Sequence, residues 1–167
     1  MIKKNIVLIG MMGAGKTTIG FKLARKLNYK FIDIDSEIEK VEGKKIVDIF
    51  KDHGEEYFRK IEEKKTLAFL ETKGSVISIG GGAFLNDKVR KKIKKNSKSF
   101  WLSWKIKTIL ERISKNRRRP LVLQLNNKDL ANIYRKRIKF YKLSDYKIKC
   151  DDKNKNEIIN QMCKLIK

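Results

Sequence analysis

Apolar residues recur along this 167-residue chain at two alternating spacings. "NIVLIG" (5–10) is a short unbroken apolar run ending in glycine, as expected of a strand buried on both faces. From Lys16 to Leu27 the apolar positions Ile19, Leu23, Ala24 and Leu27 recur with helical period, and Asn28 closes the segment. "YKFIDID" (29–35) predicts a second strand. Residues 36–73 predict mostly helix, interrupted near Gly43 and at "DHG" (52–54). "SVISI" (75–79) is a third strand, followed by a Lys-rich helix from Asp87. "KSFWLSW" (98–104) is a fourth strand and "IKTILERI" (106–113) a helix. A further helix runs from about Asp129 to Leu143, "YKIKC" (146–150) is the fifth strand, and "NEIINQMCKLI" (156–166) closes the chain as a helix. This alternation predicts an α/β fold with a five-stranded parallel sheet and helices on both faces.

Composition narrows the class. A chain of 19.6 kDa with 41% hydrophobic residues is one domain with a real core. No stretch approaches the roughly 20 apolar residues of a membrane span. The start, "MIKKNIVLIGMMGAGKTT", is broken by glycines and Lys16 and has no cleavage site, which excludes a signal peptide. Cys150 and Cys163 make neither a disulfide framework nor a metal spacing, so a reduced, cytoplasmic protein is expected. The formal net charge of +23 raises the question of nucleic acid. Only nine of the 42 basic residues are arginine, and the lysines run from end to end. Clusters such as "KVRKKIKKNSK" (88–98) lack interleaved aromatics, and no nucleic-acid module is present, so no nucleic-acid partner is expected. The positive field instead favours small anionic substrates. The stretch 115–127, dense in Lys, Arg and Asn, is a candidate lid.

"GMMGAGKT" (10–17) matches the phosphate-loop pattern G-x-x-x-x-G-K-[ST] in full, between an apolar strand and an amphipathic helix. Such a loop converges backbone N–H groups on phosphate oxygens at a helix N-terminus. Gly13, Ala14, Gly15, Lys16, Thr17 and Thr18 are therefore candidate nucleotide contacts. Lys16 is placed to reach the β and γ phosphates, and the Thr17 hydroxyl to hold Mg²⁺. "NNKDL" (126–130) only looks similar to the guanine-reading N-K-x-D arrangement, since Asp129 directly follows Lys128. "SVISI" ends in Gly80 rather than in the Asp of a mechanical ATPase. A small-molecule kinase fits better.

Asp33 and Asp35 stand two apart at the end of the second predicted strand, so on an extended chain they point the same way. One would help position Mg²⁺ and the other orient an acceptor hydroxyl. Arg59 and Glu62 lie three apart on one helical face. Gly80, Gly81 and Gly82 are consecutive, a costly choice unless something must approach bare backbone.

Together "GMMGAGKTT", "DID", "IVDIFKDHGEEYFRKIE", "VISIGGGA", "RRRPL" and "YRKRIKFY" resemble the shikimate kinase family, in family order from residue 5 to about 141. The phosphate loop is shared by many kinases; "FRKIE" followed by "VISIGGGA" is far more specific. The resemblance implies transfer of the γ-phosphoryl of ATP to the 3-hydroxyl of shikimate, in aromatic amino-acid biosynthesis, with Mg²⁺ as cofactor. It implies that Asp35 binds the acceptor hydroxyls and is the candidate to take the proton, and that Asp33 contacts Mg²⁺ through water. It assigns Arg59 and Arg137 to the shikimate carboxylate, Glu62 to orienting Arg59, and the backbone of Gly80, Gly81 and Gly82 to lining the substrate. Arg119, before Pro120, corresponds to the lid arginine over the phosphates, and Arg112 to the arginine stacked on adenine. The catalytic set implied is thus Lys16, Asp35 and Arg119. The implied organisation is one kinase domain, a monomer, with its core at about 1–35, 74–112 and 128–167. A substrate-binding segment spans about 33–63 and a lid about 113–127.

Three departures stand out. "RRRPLV" offers Arg117 and Arg118 as competitors of Arg119. Lys139 stands where the family often has proline, and "CDDKNKN" (150–156) offers Lys153 rather than an arginine near adenine. A gluconate kinase is the nearest rival, and a nucleotide-dependent nucleic-acid binder the rival from another class. His53 in its helix break is expected to have no functional role. Trp101 and Trp104 are expected to pack around the fourth strand, and the cysteines to be small buried hydrophobes.

Overall fold

The structure is a computed structural model that describes residues 4–115 and 126–166. β1 (Asn5–Ile9) is buried along its whole length, because it sits at the centre of the sheet with a neighbour on each side. The order is β2 (Lys30–Asp33), β3 (Ser75–Ser78), β1, β4 (Ser97–Ser103), β5 (Tyr146–Lys149), with every pairing parallel. Val7 lies opposite Ile77 on one side and Ser99 on the other, so the ends of β1 and β3 emerge side by side. Ligand sites of parallel sheets lie at these carboxyl ends.

The helices are α1 (Lys16–Leu27), α2 (Ile34–Glu42), α3 (Ile46–Phe69), α4 (Asp87–Asn96), α5 (Ile106–Lys115), α6 (Asn127–Tyr141) and α7 (Lys155–Ile166). α1 packs on β2 and β3 through its apolar face and touches α7, which packs on β5. α4 packs on β4 and against α3. α6 begins with a reciprocal cap: the Asn126 side chain accepts from the Asp129 N–H, and the Asp129 carboxylate accepts from that of Asn126. The buried Asn5 amide ties the start of β1 to the turn after α3, donating to the carbonyls of Leu70 and Thr72 and accepting from the Ser75 N–H.

The predicted five-stranded parallel sheet is observed, and so is the broken helix of 36–73. α2 ends at Gly43, and α3 carries a non-helical residue at Gly54 (φ 79°, ψ 174°). One element differs. The second strand ends at Asp33, which becomes the N-cap of α2, and Asp35 belongs to the first turn of that helix. Acidic residues are favoured in a first helical turn by the N-terminal partial positive charge, and that preference ends the strand two residues early.

Candidate active site

The phosphate loop joins β1 to α1. Gly13 (φ 78°) and Gly15 (φ 83°) adopt left-handed conformations that a side chain would strain, and Gly15 is the N-cap of α1. The Lys16 ammonium folds over the loop, donating to the carbonyls of Gly10 (2.8 Å) and Met11 (3.0 Å). Thr17 donates from Oγ1 to Asp33 Oδ2 at 2.7 Å, which brings the end of β2 to the start of α1. Thr17 and Thr18 are exposed at the helix N-terminus. The loop can therefore present an ammonium, a helix dipole and two adjacent oxygen ligands to an anionic phosphate chain. Among the described residues no group of three or more His, Cys, Asp or Glu side chains could hold a metal ion.

The three glycines after β3 each face a different side chain. A Cβ at Gly80 would overlap Glu62 Oε1 and lie 3.2 Å from Asp35 Oδ1. At Gly81 it would stand 2.9 Å from Arg137 Nη1 and 3.4 Å from the Gly10 carbonyl. At Gly82 it would stand 2.5 Å from Arg59 Nη1. None of the three needs a left-handed backbone, so their purpose is room. Three residues of one loop thereby bring together Asp35 from α2, Arg59 and Glu62 from α3, Arg137 from α6 and the phosphate loop. The expectation that these glycines expose bare backbone is sharpened: side chains of the site occupy that room.

Arg59 donates from Nη1 to Glu62 Oε2 at 2.7 Å and from Nη2 to Glu55 Oε1 at 3.0 Å. Glu62 is only 2% exposed, and among the described residues its Oε1 has no hydrogen-bond partner. Burial pushes the Glu62 carboxyl above the ordinary carboxylate range against the pull of Arg59, and nearby Asp35 adds to the rise. For Arg59, burial acts downward, but the Glu62 and Glu55 carboxylates together outweigh it and hold the guanidinium charged. A carboxyl raised in the folded state favours folding fully below its ordinary value of 4.5 and loses that contribution as pH climbs through the raised value. The stability of the unmodified chain minus that of Glu62→Gln should accordingly fall as pH rises above 4.5. Urea titrations across that range measure it; a flat or rising difference would contradict the burial of Glu62.

Two contributors escaped the sequence reading. Tyr141, buried one turn beyond Arg137, donates its hydroxyl to the Gly81 carbonyl at 2.5 Å, with Met11 Sδ 3.8 Å from the same oxygen. Burial raises its phenol to about 12, so it remains a donor. Its only signal was a tyrosine at i+4 from Arg137. Trp104 was expected to pack around the fourth strand; it lies just past β4, donating Nε1–H to the Ala14 carbonyl at 3.0 Å. Arg112 from α5 lies with its guanidinium carbon 3.5 Å from the Trp104 ring centroid. Arg117, Arg118 and Arg119, with most of the proposed lid, lie outside the described residues. Lys153 bonds the Lys149 carbonyl, and His53 is exposed, its ring 4.6 Å from that of Tyr57. Cys150 is buried and its thiol pushed up to about 12 by that burial, as an inert hydrophobe should be, whereas Cys163 is only partly buried.

No helix among the described residues is long and apolar enough to cross a membrane. Residues 12–167 match the shikimate kinase family model. The shikimate kinase of Persephonella marina is 42% identical over 159 residues, covering 95% of this chain and 96% of that one. That of Sulfurihydrogenibium sp. is 41% identical, covering 98% of each. A solved shikimate kinase from Acinetobacter baumannii, in complex with shikimate, superposes with a TM-score of 0.91 at 32% identity, covering 98% of this chain and 93% of that one. A deoxyadenosine kinase from M. mycoides, at 16% identity and TM-score 0.63, shares the fold alone. With the phosphate loop, the arginine–glutamate pair and the triple glycine converging at the ends of β1 and β3, this chain belongs to the shikimate kinase family.

Proposed function

We propose that Asp35, Arg59 and Arg137 hold shikimate beside the phosphate loop while the chain transfers the γ-phosphoryl group of ATP to the 3-hydroxyl. The carrying observation is the triple glycine, which packs two arginines and two acids around one short loop. Shikimate is a polyhydroxylated carboxylate, needing cations at one end and an acceptor at the other. Arg59 and Arg137 offer planar forks to its carboxylate, and Glu62 holds the Arg59 fork in place. Asp35 orients the acceptor hydroxyl and accepts its proton as the oxygen–phosphorus bond forms. Lys16 neutralises charge on the β and γ phosphates, and Tyr141 holds the Gly81 wall through its carbonyl.

Thr17 and Asp33 fit a hard divalent cation: two oxygens in direct contact at the loop, with too few protein ligands for a cage. Mg²⁺ is held in this way, by one or two protein oxygens plus phosphates and water. Bound there, it would neutralise the phosphate chain. We assign Gly13, Ala14, Gly15 and Thr18 to the nucleotide, and Arg119 to closure over it. The organisation that fits is a single domain with a substrate-binding segment at about 33–63. We assign the chain to the cytoplasm and to action as a monomer.

The test is ADP release by the purified chain with ATP and Mg²⁺, with shikimate or gluconate added. Release only with shikimate is expected; release only with gluconate would replace the assignment. In the same assay Arg59→Lys keeps the charge but loses the fork, and should raise KM for shikimate about tenfold. An unchanged KM would remove Arg59 from the carboxylate.

A further inference from the structure

We propose that Trp104 is a nucleotide-positioning residue, its indole backing the Arg112 guanidinium so that the other face of that plane takes the base of the nucleotide. The inference rests on the reading that residues 10–17 hold ATP. Trp104 is anchored three ways. Its N–H donates to the Ala14 carbonyl of the phosphate loop at 3.0 Å, the Tyr134 hydroxyl of α6 donates to its own carbonyl at 2.9 Å, and the residue is only 6% exposed. Arg112 is laid against the ring of this fixed residue, its guanidinium carbon 3.5 Å from the ring centroid.

The location follows from the loop. A Cβ at Gly13 would lie 3.3 Å from Ile113 Cγ1 and 3.8 Å from Arg112 Cβ, so Arg112 borders the phosphate loop at its Gly13–Ala14 shoulder. A nucleotide whose phosphates occupy the loop must send its nucleoside part past one border of it. Arg112 offers there a flat, weakly hydrated cation, a surface that stacks on aromatic rings. Free in solvent, such a side chain would sample many rotamers and lose that freedom on binding. The indole removes most of that loss in advance by holding the plane in place, and the bond to Ala14 sets the plane's position relative to the phosphates. Trp104 itself does not touch the base.

The test separates base from phosphate. Trp104→Leu and Trp104→Phe are titrated by calorimetry with ADP and with inorganic tripolyphosphate, both with Mg²⁺. In Trp104→Leu, ADP should bind about five- to tenfold more weakly, while tripolyphosphate affinity stays within about twofold. Phenylalanine keeps a ring face, so Trp104→Phe should recover most of the ADP affinity. Parallel weakening of both ligands would overturn the proposal, leaving Trp104 as a prop of the phosphate loop alone; so would no weakening of either. Should the leucine variant fail to fold, Trp101→Phe leaves Trp104 as the sole indole. Its emission should then change with ADP and not with tripolyphosphate, and an identical response to both would overturn the proposal. Absence of shikimate-dependent ADP release by the unmodified chain would count against the kinase reading and leave these titrations interpretable.

Discussion

Asp35→Asn is expected to lower shikimate-dependent turnover by about three orders of magnitude while changing ATP affinity less than about twofold. Asparagine preserves the shape of the side chain and its capacity to hydrogen-bond a hydroxyl, but it cannot take a proton. Asp35 stands in the first turn of α2, where the helix dipole favours a negative charge, and its Oδ1 faces Gly80 on the acceptor side of the loop. The carboxylate is thus placed next to the hydroxyl it would orient and whose proton it would accept. The nucleotide, by contrast, is assigned to residues 13–18 and Arg112. Steady-state ADP release at saturating shikimate measures the first effect and ATP titration the second. Turnover within tenfold of the unmodified chain would remove Asp35 from proton transfer, and a comparable loss of ATP affinity would place it in the nucleotide site instead.

Gly80→Ala should damage both fold and function, whereas Gly82→Ala should damage function alone. At Gly80 the added methyl overlaps Glu62 Oε1, and Glu62 is buried. It must move together with the Arg59 guanidinium it holds, or β3 must shift. Overpacking of this kind costs about 1–3 kcal/mol. Displacing the Arg59–Glu62 pair should at the same time raise KM for shikimate by roughly two orders of magnitude, the effect of misplacing a substrate-positioning group. At Gly82 the methyl meets the Arg59 guanidinium, which is half-buried and can swing outward. Its backbone (φ −94°, ψ −21°) is one that alanine adopts freely, so stability should change little while KM rises about tenfold. Urea unfolding beside shikimate titration distinguishes the two. Equal stability of both variants would show that Glu62 is not locked in place.

Much of this was legible before any coordinates. The phosphate loop was readable because its function resides in contiguous residues: glycines at fixed offsets, one lysine and one threonine, between a strand and a helix. Arg59 and Glu62 were readable as a pair because three residues of helix place them on one face. Asp33 was found at the end of the second strand, but Asp35 was placed on the wrong backbone. Period-two spacing assumes an extended chain, and the helix-start preference of the acids prevailed after Asp33. Tyr141 and Trp104 were passed over because an aromatic residue in an apolar pattern reads as core. Both are indeed buried, and only the position of the hydroxyl and the indole N–H marks them as parts of the site.

The amino-acid order alone therefore determined the alternation of strands and helices, the phosphate loop and the identities of the residues around it, because each depends on spacing within one or two turns of chain. Tertiary structure decided the strand order that sets β1 beside β3, the pairing of Thr17 with Asp33, and the stacking of Arg112 on Trp104. It also decided what the three glycines are for. Their room is filled by Glu62, Arg137 and Arg59, from helices that begin 34 residues before Gly80 and 45 residues after Gly82 and meet the loop only once the sheet is packed. Local spacing limits what a segment can become, but which side chain fills a given gap is settled by long-range packing that no short window of sequence contains.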